Sequence, residues 1–393
     1  MHVDLDDRLL ARTLALARKG QGQVPPNPMV GAVVAGDHRI ISEGHHERYG
    51  GPHAEAIALA HAGDQARGAV LYCSLEPCSF DAPGKHQPPC VAAIIGAGIR
   101  RVVVGQLDPN PLVRGSGVAA LRSAGITVDV ADDEACWELN DGFNTAMALG
   151  RPFVHIKSAI SLDGRIAAAG GKSRWITDEA ARRDAHALRA TVDAVVVGIG
   201  TVLADDPLLT VRIDGRDVRQ PRAVVFDSTL RIPLSSHLVR ERPQMLIVLA
   251  ARRDQDPSWN SRCRTLRDAG VTVLEVPHAR PEERPEPAAA LQALYRAGLR
   301  SLLVEGGAAL ITSFVRSALY DRLTLYRSPM LLGDGVAFLG DLGIRDPAHG
   351  VRFEAVRYRT IGEQDVVEAR RAGWLAEMRA AVAGEELRVH GTR

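Results

Sequence analysis

Residues 52–79 read PHAEAIALAHAGDQARGAVLYCSLEPCS, and this stretch decides the fold. Ala54 to Ala62 is an alanine-rich run that favours a helix, and Gly63 stops it. Ala69 to Ser74 is a short apolar run that fits a buried strand. Ligand-type side chains sit at the junctions: His53 and Glu55 where the helix starts, Glu76 and Cys78 just past the strand. The alternation continues outward. Leu5 to Lys19 reads as a helix, and Met29–Val34 with Arg39–Glu43 as a hairpin around a Gly36-Asp37 turn. Helices at Cys90–Ala97 and Gly117–Ala124 alternate with strands at Arg101–Val104 and Ile126–Val130. This order predicts an α/β layered domain.

Asp141 to Arg151, with Gly142 and Gly150, reads as a connection, after which the pattern restarts at Phe153-Val154-His155-Ile156. Strands are expected at Ala194–Val197, Arg222–Phe226, Leu246–Leu249, Val271–Val276 and Ser301–Glu305. Helices are expected at Asp178–Thr191, Ala288–Ala297 and Ala308–Ala318, and Pro277–Pro287 as a surface loop. After Val367 a helix, Ala369 to Ala383, precedes a polar tail. The expected domains are therefore 1–148, 149–367 and a terminal segment 368–393.

Composition narrows the class. A chain of 393 residues with 46% hydrophobic and 24% charged residues has enough apolar surface to offset chain entropy, which excludes a largely disordered protein. Aromatics are only 4%, so the core falls to Ala, Val, Leu and Ile. A net charge of +1 gives no bulk attraction for nucleic acid or membrane. The longest apolar run, Ala194 to Ala204, is interrupted by Gly198 and Gly200 and is too short to span a bilayer. The start, Met1-His2-Val3-Asp4, has no basic-then-apolar signal pattern. Cys73, Cys78, Cys90, Cys136 and Cys263 are too few for a disulfide scaffold in so long a chain, and a reducing cytoplasm is expected.

His53, Cys78 and Cys90 each sit beside a helix start or strand end. Imidazole nitrogen and thiolate sulfur suit Zn²⁺, and helix N-termini favour thiolate. Three protein ligands leave a fourth position open, the catalytic arrangement. In zinc deaminases the glutamate of an H-x-E pair is not a ligand but moves protons between water and substrate, and Glu55 occupies that place. Buried core thiols or a structural zinc site remain alternatives. Cys73, Cys136 and Cys263 read as packing residues.

With those residues in hand, 1 to about 148 resembles the deaminase domain of the RibD family, the bifunctional deaminase/reductases of riboflavin biosynthesis. Pro26-Asn27-Pro28-Met29-Val30-Gly31, Pro52-His53-Ala54-Glu55, Leu75-Glu76-Pro77-Cys78-Ser79, Pro88-Pro89-Cys90 and Asp108-Pro109-Asn110-Pro111 carry the likeness. It implies a cytidine-deaminase-like three-layer α/β/α domain with His53, Cys78 and Cys90 on zinc. It further implies Glu55 as the catalytic proton carrier and Asn27 on the pyrimidine edge. The implied reaction hydrolyses the 2-amino group of a diaminopyrimidinone ribosylamino 5′-phosphate. The family's Ser-His-His-Gly-type loop between the cysteines is here Ser79 to Gln87, SFDAPGKHQ, which is longer and lacks the histidine after the serine. His86 either replaces that group or is solvated.

Residues 151 to about 365 resemble the family's reductase domain, which implies a dihydrofolate-reductase-like α/β fold. The matching motifs are Phe153–Lys157, Ser161–Arg165, Ser173–Thr177, Thr201–Pro207, Val304–Gly307 and Pro329–Gly333. The resemblance implies NADPH contacts at Ala159, Trp175, Thr201, Asp205, Ser228 and Gly307, Ala308, Ala309, Leu310, Ile311, Thr312, Ser313. Substrate contacts would fall on Lys157, Ser173, Arg189, Leu209, Arg212 and Glu305. Arg189 and Arg212 suit phosphate clamping, because guanidinium is always charged and can bind bidentately. Gly306-Gly307 before a helix suits phosphate binding, and Gly198-x-Gly200 offers a second tight turn. No G-x-G-x-x-G fingerprint follows a strand, which disfavours a Rossmann fold. Lys157 and Asp205 are both candidates for the proton in ring opening.

The expected partners are a small pyrimidine ribosyl phosphate and a second copy of the chain, with no nucleic acid and no membrane. Two other readings stay open: an RNA adenosine or cytidine deaminase fused to a second domain, and a non-catalytic zinc-organised scaffold.

Overall fold

A computed structural model describes residues 2–36, 39–80, 87–213, 218–251, 256–277 and 285–383. Asp37 of the expected hairpin turn, His86, most of the 277–287 loop and the terminal tail lie outside them. The chain divides into two units, Met1–Gly150 with Leu375–Arg393, and Arg151–Trp374.

The first unit has five strands: β1 Gly31–Gly36, β2 Arg39–His45, β3 Val70–Cys73, β4 Arg101–Val104 and β5 Thr127–Val130. They are ordered β2-β1-β3-β4-β5, with β1 antiparallel to both β2 and β3 and the rest parallel. Its helices are α1 His2–Ala17, α2 Ala54–Ala62, α3 Cys90–Gly96, α4 Ser116–Ser123, α5 Glu134–Leu139 and α6 Asp141–Leu149. Successive strand residues point to opposite faces. Val33, Ala35, Val70, Tyr72 and Val103 meet α1 through Leu9, Leu10 and Leu16, while Ala32, Val34, Leu71, Cys73, Val102 and Val104 meet the core of α2, α3 and α4. Helices therefore cover both faces. Two glycines permit the close approach: a Cβ on Gly31 would lie 2.0 Å from the Thr13 carbonyl oxygen, and one on Gly44 2.3 Å from that of Ala54.

The second unit is built on nine strands: β6 Phe153–Ser161, β8 Ala194–Gly198, β9 Arg222–Phe226, β10 Leu246–Ala251, β11 Thr272–Val276, β12 Ser301–Val304, β13 Arg322–Ser328, β15 Phe353–Ile361 and β16 Gln364–Arg371. The short strands β7 Arg165–Ala167 and β14 Val336–Ala337 pair separately. The order is β11-β10-β9-β8-β12-β6-β13-β16-β15, parallel as far as β13 and antiparallel beyond. Helices α7 Glu179–Arg189, α8 Ile199–Asp205, α9 His237–Glu241, α10 Pro257–Asp268, α11 Pro287–Arg296 and α12 Ala308–Arg316 belong to this unit, and α13 Trp374–Val382 follows β16. α8 packs with the layer of Val195 and Val197, and α12 with the opposite layer of Ala194 and Val196. The adjacent parallel strands β8 and β12 thus send their following helices to opposite faces. That divergence opens a crevice at their carboxyl ends, where ligands bind in open α/β sheets.

Four expectations need correction. Asp141–Arg151 is not a plain connection: α6 fills it, with Gly150 ending the helix in a left-handed conformation at φ 62°. Gly198-x-Gly200 is not a tight turn, because Gly198 caps α8 and Gly200 lies in its first turn. The helix after Val367 begins only at Trp374. Residues through Arg371 complete β16, whose pairing with β13 and β15 overrides their helix propensity, and Gly373, at φ 80°, makes the break. The segment 368–393 is accordingly divided, its strand residues in the second unit and the bulk of α13 in the first.

Candidate active sites

In the first unit, three elements deliver three ligands. His53 immediately precedes α2 in extended conformation, Cys78 follows β3, and Cys90 is the first residue of α3. Their donor atoms lie within 4.8 Å of one another. His53 Nδ1 is 3.2 Å from Cys90 Sγ and 3.6 Å from Cys78 Sγ. Zn–S and Zn–N bonds of about 2.3 and 2.0 Å at a tetrahedral angle would set nitrogen and sulfur about 3.5 Å apart, so the cluster fits zinc. The Cys90 thiol, with help from His53 and the Cys90 amide, holds Cys78 far below its ordinary thiol range. The same contact, with burial, pushes Cys90 up. A bound cation would hold both sulfurs as thiolates.

Glu55 lies in the first turn of α2, is buried, and has its pKa raised by desolvation. It lines a cavity of about 250 Å³ with Asn27, His46, His53, Cys78 and Asp108. Cys90 sits behind that wall, 2% exposed. His46 went unnoticed in the sequence. Its Nδ1 is 2.9 Å from the Pro52 carbonyl oxygen and so carries the proton, which leaves Nε2 to accept from Asn27 Nδ2 at 3.2 Å. That bond orients the Asn27 amide. Burial lowers the His46 pKa, in keeping with a neutral ring.

Glu76 stands two residues before the ligand Cys78. Its buried carboxylate accepts from the amides of Asp108, Gly115, Gly117 and Val118 at 2.9–3.1 Å. It thereby closes the start of α4 and shapes the 108–118 loop that carries Asp108 and Asn110 to the cavity. Burial raises the Asp108 pKa to about 7.

The second unit's crevice is a cavity of about 910 Å³, large enough for two ligands. Lys157, Ala159, Ser173, Trp175, Arg189, Thr201, Asp205, Arg212, Glu305 and Gly307 to Leu310 all line it. The remaining expected residues do not. Leu209 and Ile311 are packed in the apolar layers. Thr312 is bonded to the Ala308 carbonyl and the Gly340 amide. Ser228 and Ser313 lie outside the lining. A Cβ on Gly198, Gly200 or Gly307 would meet nothing within 4 Å, so these positions leave backbone open beside the crevice. Gly307 precedes α12, whose first residues line the cavity, and a helix start suits a dinucleotide phosphate. Trp175 is 65% exposed, with the Arg182 guanidinium 4.3 Å from its ring centroid.

Arg189 carries an ion pair that the sequence does not reveal. Its fork is engaged bidentately by Glu305 at 2.7 and 2.8 Å, and a third donor reaches the Thr210 carbonyl. Burial pushes the Glu305 pKa up, but Arg189 and Lys157 outweigh it and hold the carboxyl down to about 2. Arg189 and Arg212 both line the crevice, and His186 Nε2 meets Arg212 at 3.3 Å. Arg182, His186 and Arg189 recur at helical i, i+4, i+7 spacing on α7, a signal that could have found His186 in the sequence.

The comparisons agree with both halves. Residues 4–106 match the cytidine and deoxycytidylate deaminase zinc-binding region, and 152–367 match the RibD C-terminal domain. The riboflavin biosynthesis protein RibD of Aquifex aeolicus is 39% identical over 93% of this chain and 98% of its own. RibD of Acinetobacter baumannii superposes with a TM-score of 0.81 at 36% identity, covering 94% of this chain and 99% of its own. A diaminohydroxyphosphoribosylaminopyrimidine deaminase/5-amino-6-(5-phosphoribosylamino)uracil reductase from Thermotoga maritima gives 0.78 at 33% identity, over 95% and 100%. Likeness of this extent, running through both units and along nearly the whole of each relative, makes the chain a member of the RibD family, the bifunctional riboflavin-biosynthesis enzymes that join a zinc-dependent deaminase to an NADPH-dependent reductase.

Proposed function

We propose that the first unit performs the deamination with Glu55, Asn27 and the His53, Cys78, Cys90 ligands, and that the second performs the reduction in the crevice around Lys157 and Glu305. The observation that carries this reading is the three-donor cluster with a buried carboxyl beside it.

Zinc, when bound, supplies the Lewis acidity that makes water nucleophilic at neutral pH. Glu55 takes a proton from the attacking water and returns it to the departing nitrogen. A C–O bond forms at the pyrimidine carbon, the C–N bond breaks, and ammonia leaves. Its raised pKa suits a group that must hold and release a proton near neutrality. Asn27, fixed by His46, grips the ring edge.

NADPH, when bound, supplies the hydride that ends on C1′ of the ribosyl group. Its contacts are assigned to Ala159, Trp175, Thr201, Asp205 and the start of α12 from Gly307 to Leu310, all on the crevice. Lys157 gives a proton to the ring oxygen as the C1′–O bond opens. It is preferred to Asp205 because burial lowers its pKa toward the working range, whereas the Asp205 carboxylate faces Arg174 at 3.7 Å. Arg212 holds the 5′-phosphate.

Near-neutral charge supports a small-molecule partner rather than nucleic acid, and no described helix is long and apolar enough to cross a membrane. Five free cysteines fit a reducing cytoplasm. The edge strand β15, largely exposed, offers a surface for a second copy. The test is to supply the diaminopyrimidinone phosphate to zinc-replete protein and follow products by mass. Ammonia without NADPH, then an NADPH-dependent gain of two hydrogens, supports the assignment. Silence at either stage removes that half.

A further inference from the structure

The reductase crevice holds a cation without a conventional anchor. Lys157 lies in the middle of β6 and lines the cavity, yet among the described residues it makes no hydrogen bond and no ion pair within 4 Å. An unanchored ammonium on four flexible carbons is a poor proton donor, because its position is not defined. Its nearest organised partner is an aromatic face: Nζ lies 5.3 Å from the ring centroid of Tyr326 on the adjacent strand β13. That is cation–π distance.

The ring is itself braced. Tyr326 is 1% exposed, and its hydroxyl donates to Asp184 on α7 at 2.5 Å. Asp184 also receives Arg359 at 2.7 Å, and Arg359 in turn reaches Glu368. The chain from β15 and β16 through α7 to the ring therefore has no loose member. A hydroxyl that donates to a carboxylate leaves its ring more electron-rich, which strengthens attraction for a cation on the face. Glu305 after β12 attracts the ammonium at longer range, and Arg189 of α7 holds Glu305. One helix thus fixes both groups that flank the ammonium.

We propose that Tyr326, fixed by Asp184, is a positioning residue for the reductase, and that its π face holds the Lys157 ammonium where the ring-opening proton is delivered. This rests on the reading of Lys157 as proton donor. The charged groups around Lys157 are Glu305 from the end of β12 and Asp184 and Arg189 from α7, and the neutral phenol of Tyr326 faces it from β13. Removing the ring takes away an attraction felt only by the charged amine, so the pH at which Lys157 loses its proton falls.

The experiment measures reductase kcat and KM against pH, with the deaminated intermediate and NADPH, in zinc-replete full-length protein. Tyr326→Leu is expected to lower kcat about tenfold or more and to move the alkaline limb of the kcat profile to lower pH. Tyr326→Phe keeps the face and should return kcat to within about threefold. Asp184→Asn keeps the ring and an acceptor for its hydroxyl but removes a charge that favours the ammonium, so its limb should move to lower pH with the ring in place. Deaminase turnover and the melting profile report folding, and if Tyr326→Leu does not fold, the profile of Tyr326→Met, which also lacks the π face, decides. An alkaline limb that stays in place in Tyr326→Leu (or in Tyr326→Met where that variant stands in) overturns the proposal, as does equal loss in the aliphatic and Phe variants. Lys157→Met separates the two readings: if it keeps reductase turnover, Lys157 is not the donor and the underlying assignment fails. If it is inactive while the limb in the other variants stays put, only the role of Tyr326 fails.

Discussion

Replacing Glu55 by glutamine removes one ionisable proton from the first site and leaves all three ligand side chains in place. The two side chains have nearly the same shape, so the buried pocket beside Cys90 stays filled. What is lost is proton transfer. A positioned acid–base group contributes about 10²–10⁴-fold, or about 3–5 kcal/mol of barrier. The upper end applies here, because the same carboxyl must both take and return the proton. Zinc content should stay at that of the wild type, since His53, Cys78 and Cys90 keep their geometry. Reductase turnover, supported by the other unit, is the internal control. The assay is ammonia release per zinc-loaded chain, alongside NADPH oxidation with the deaminated intermediate. Ammonia release within a few-fold of wild type, with zinc retained, would refute the assignment of Glu55 and favour a structural metal site. Loss of zinc together with activity would show that Glu55 belongs to the metal's own support rather than to the chemistry.

Other outcomes follow from the second unit. Asp321 is fully buried and accepts from Arg151 twice at 2.7 Å and from the Val154 amide at 2.8 Å. Asp321→Ala leaves a buried guanidinium uncompensated and should cost about 3–5 kcal/mol, read as an earlier urea transition with loss of reductase before deaminase. Desolvation lowers the pKa of His155 from its ordinary 6.5 to about 3, and its Nε2 meets Thr324 Oγ1 at 2.8 Å. The unfolded chain takes up this proton first, so the stability tied to His155 is complete above pH 6.5. It is lost as pH falls from 6.5 toward 3, at up to about 1.4 kcal/mol per pH unit. His155→Gln should flatten that acid limb in urea titrations, and an unchanged slope would show that other groups set it.

The local parts of this molecule were legible in the sequence. The helix at Ala54–Ala62 and the strands at Arg101–Val104 and Arg222–Phe226 are bounded as expected, because composition and neighbouring stop signals act over a few residues. The metal ligands were legible for the same reason, each lying at its own junction. The antiparallel strands β13, β15 and β16 were not anticipated. Their alternating Arg and Glu residues are satisfied across strands, as between Arg359 and Glu368 or Arg370 and Glu354, and only pairing reveals it. The Ala and Arg residues of β16 even favour a helix taken alone. The supports of the sites were hidden likewise. Glu76 closes a helix start some 40 residues on, His46 orients Asn27 from a different strand end, and Glu305 pairs with Arg189 from more than 100 residues away.

The central claim is a zinc ion held by two sulfurs and one imidazole beside Glu55. X-ray absorption at the zinc edge of the zinc-replete enzyme tests it most directly. The account predicts two sulfur scatterers at about 2.3 Å and one imidazole nitrogen at about 2.0 Å, with one further light atom completing four. A four-sulfur shell, or a shell of nitrogen and oxygen alone, would contradict it.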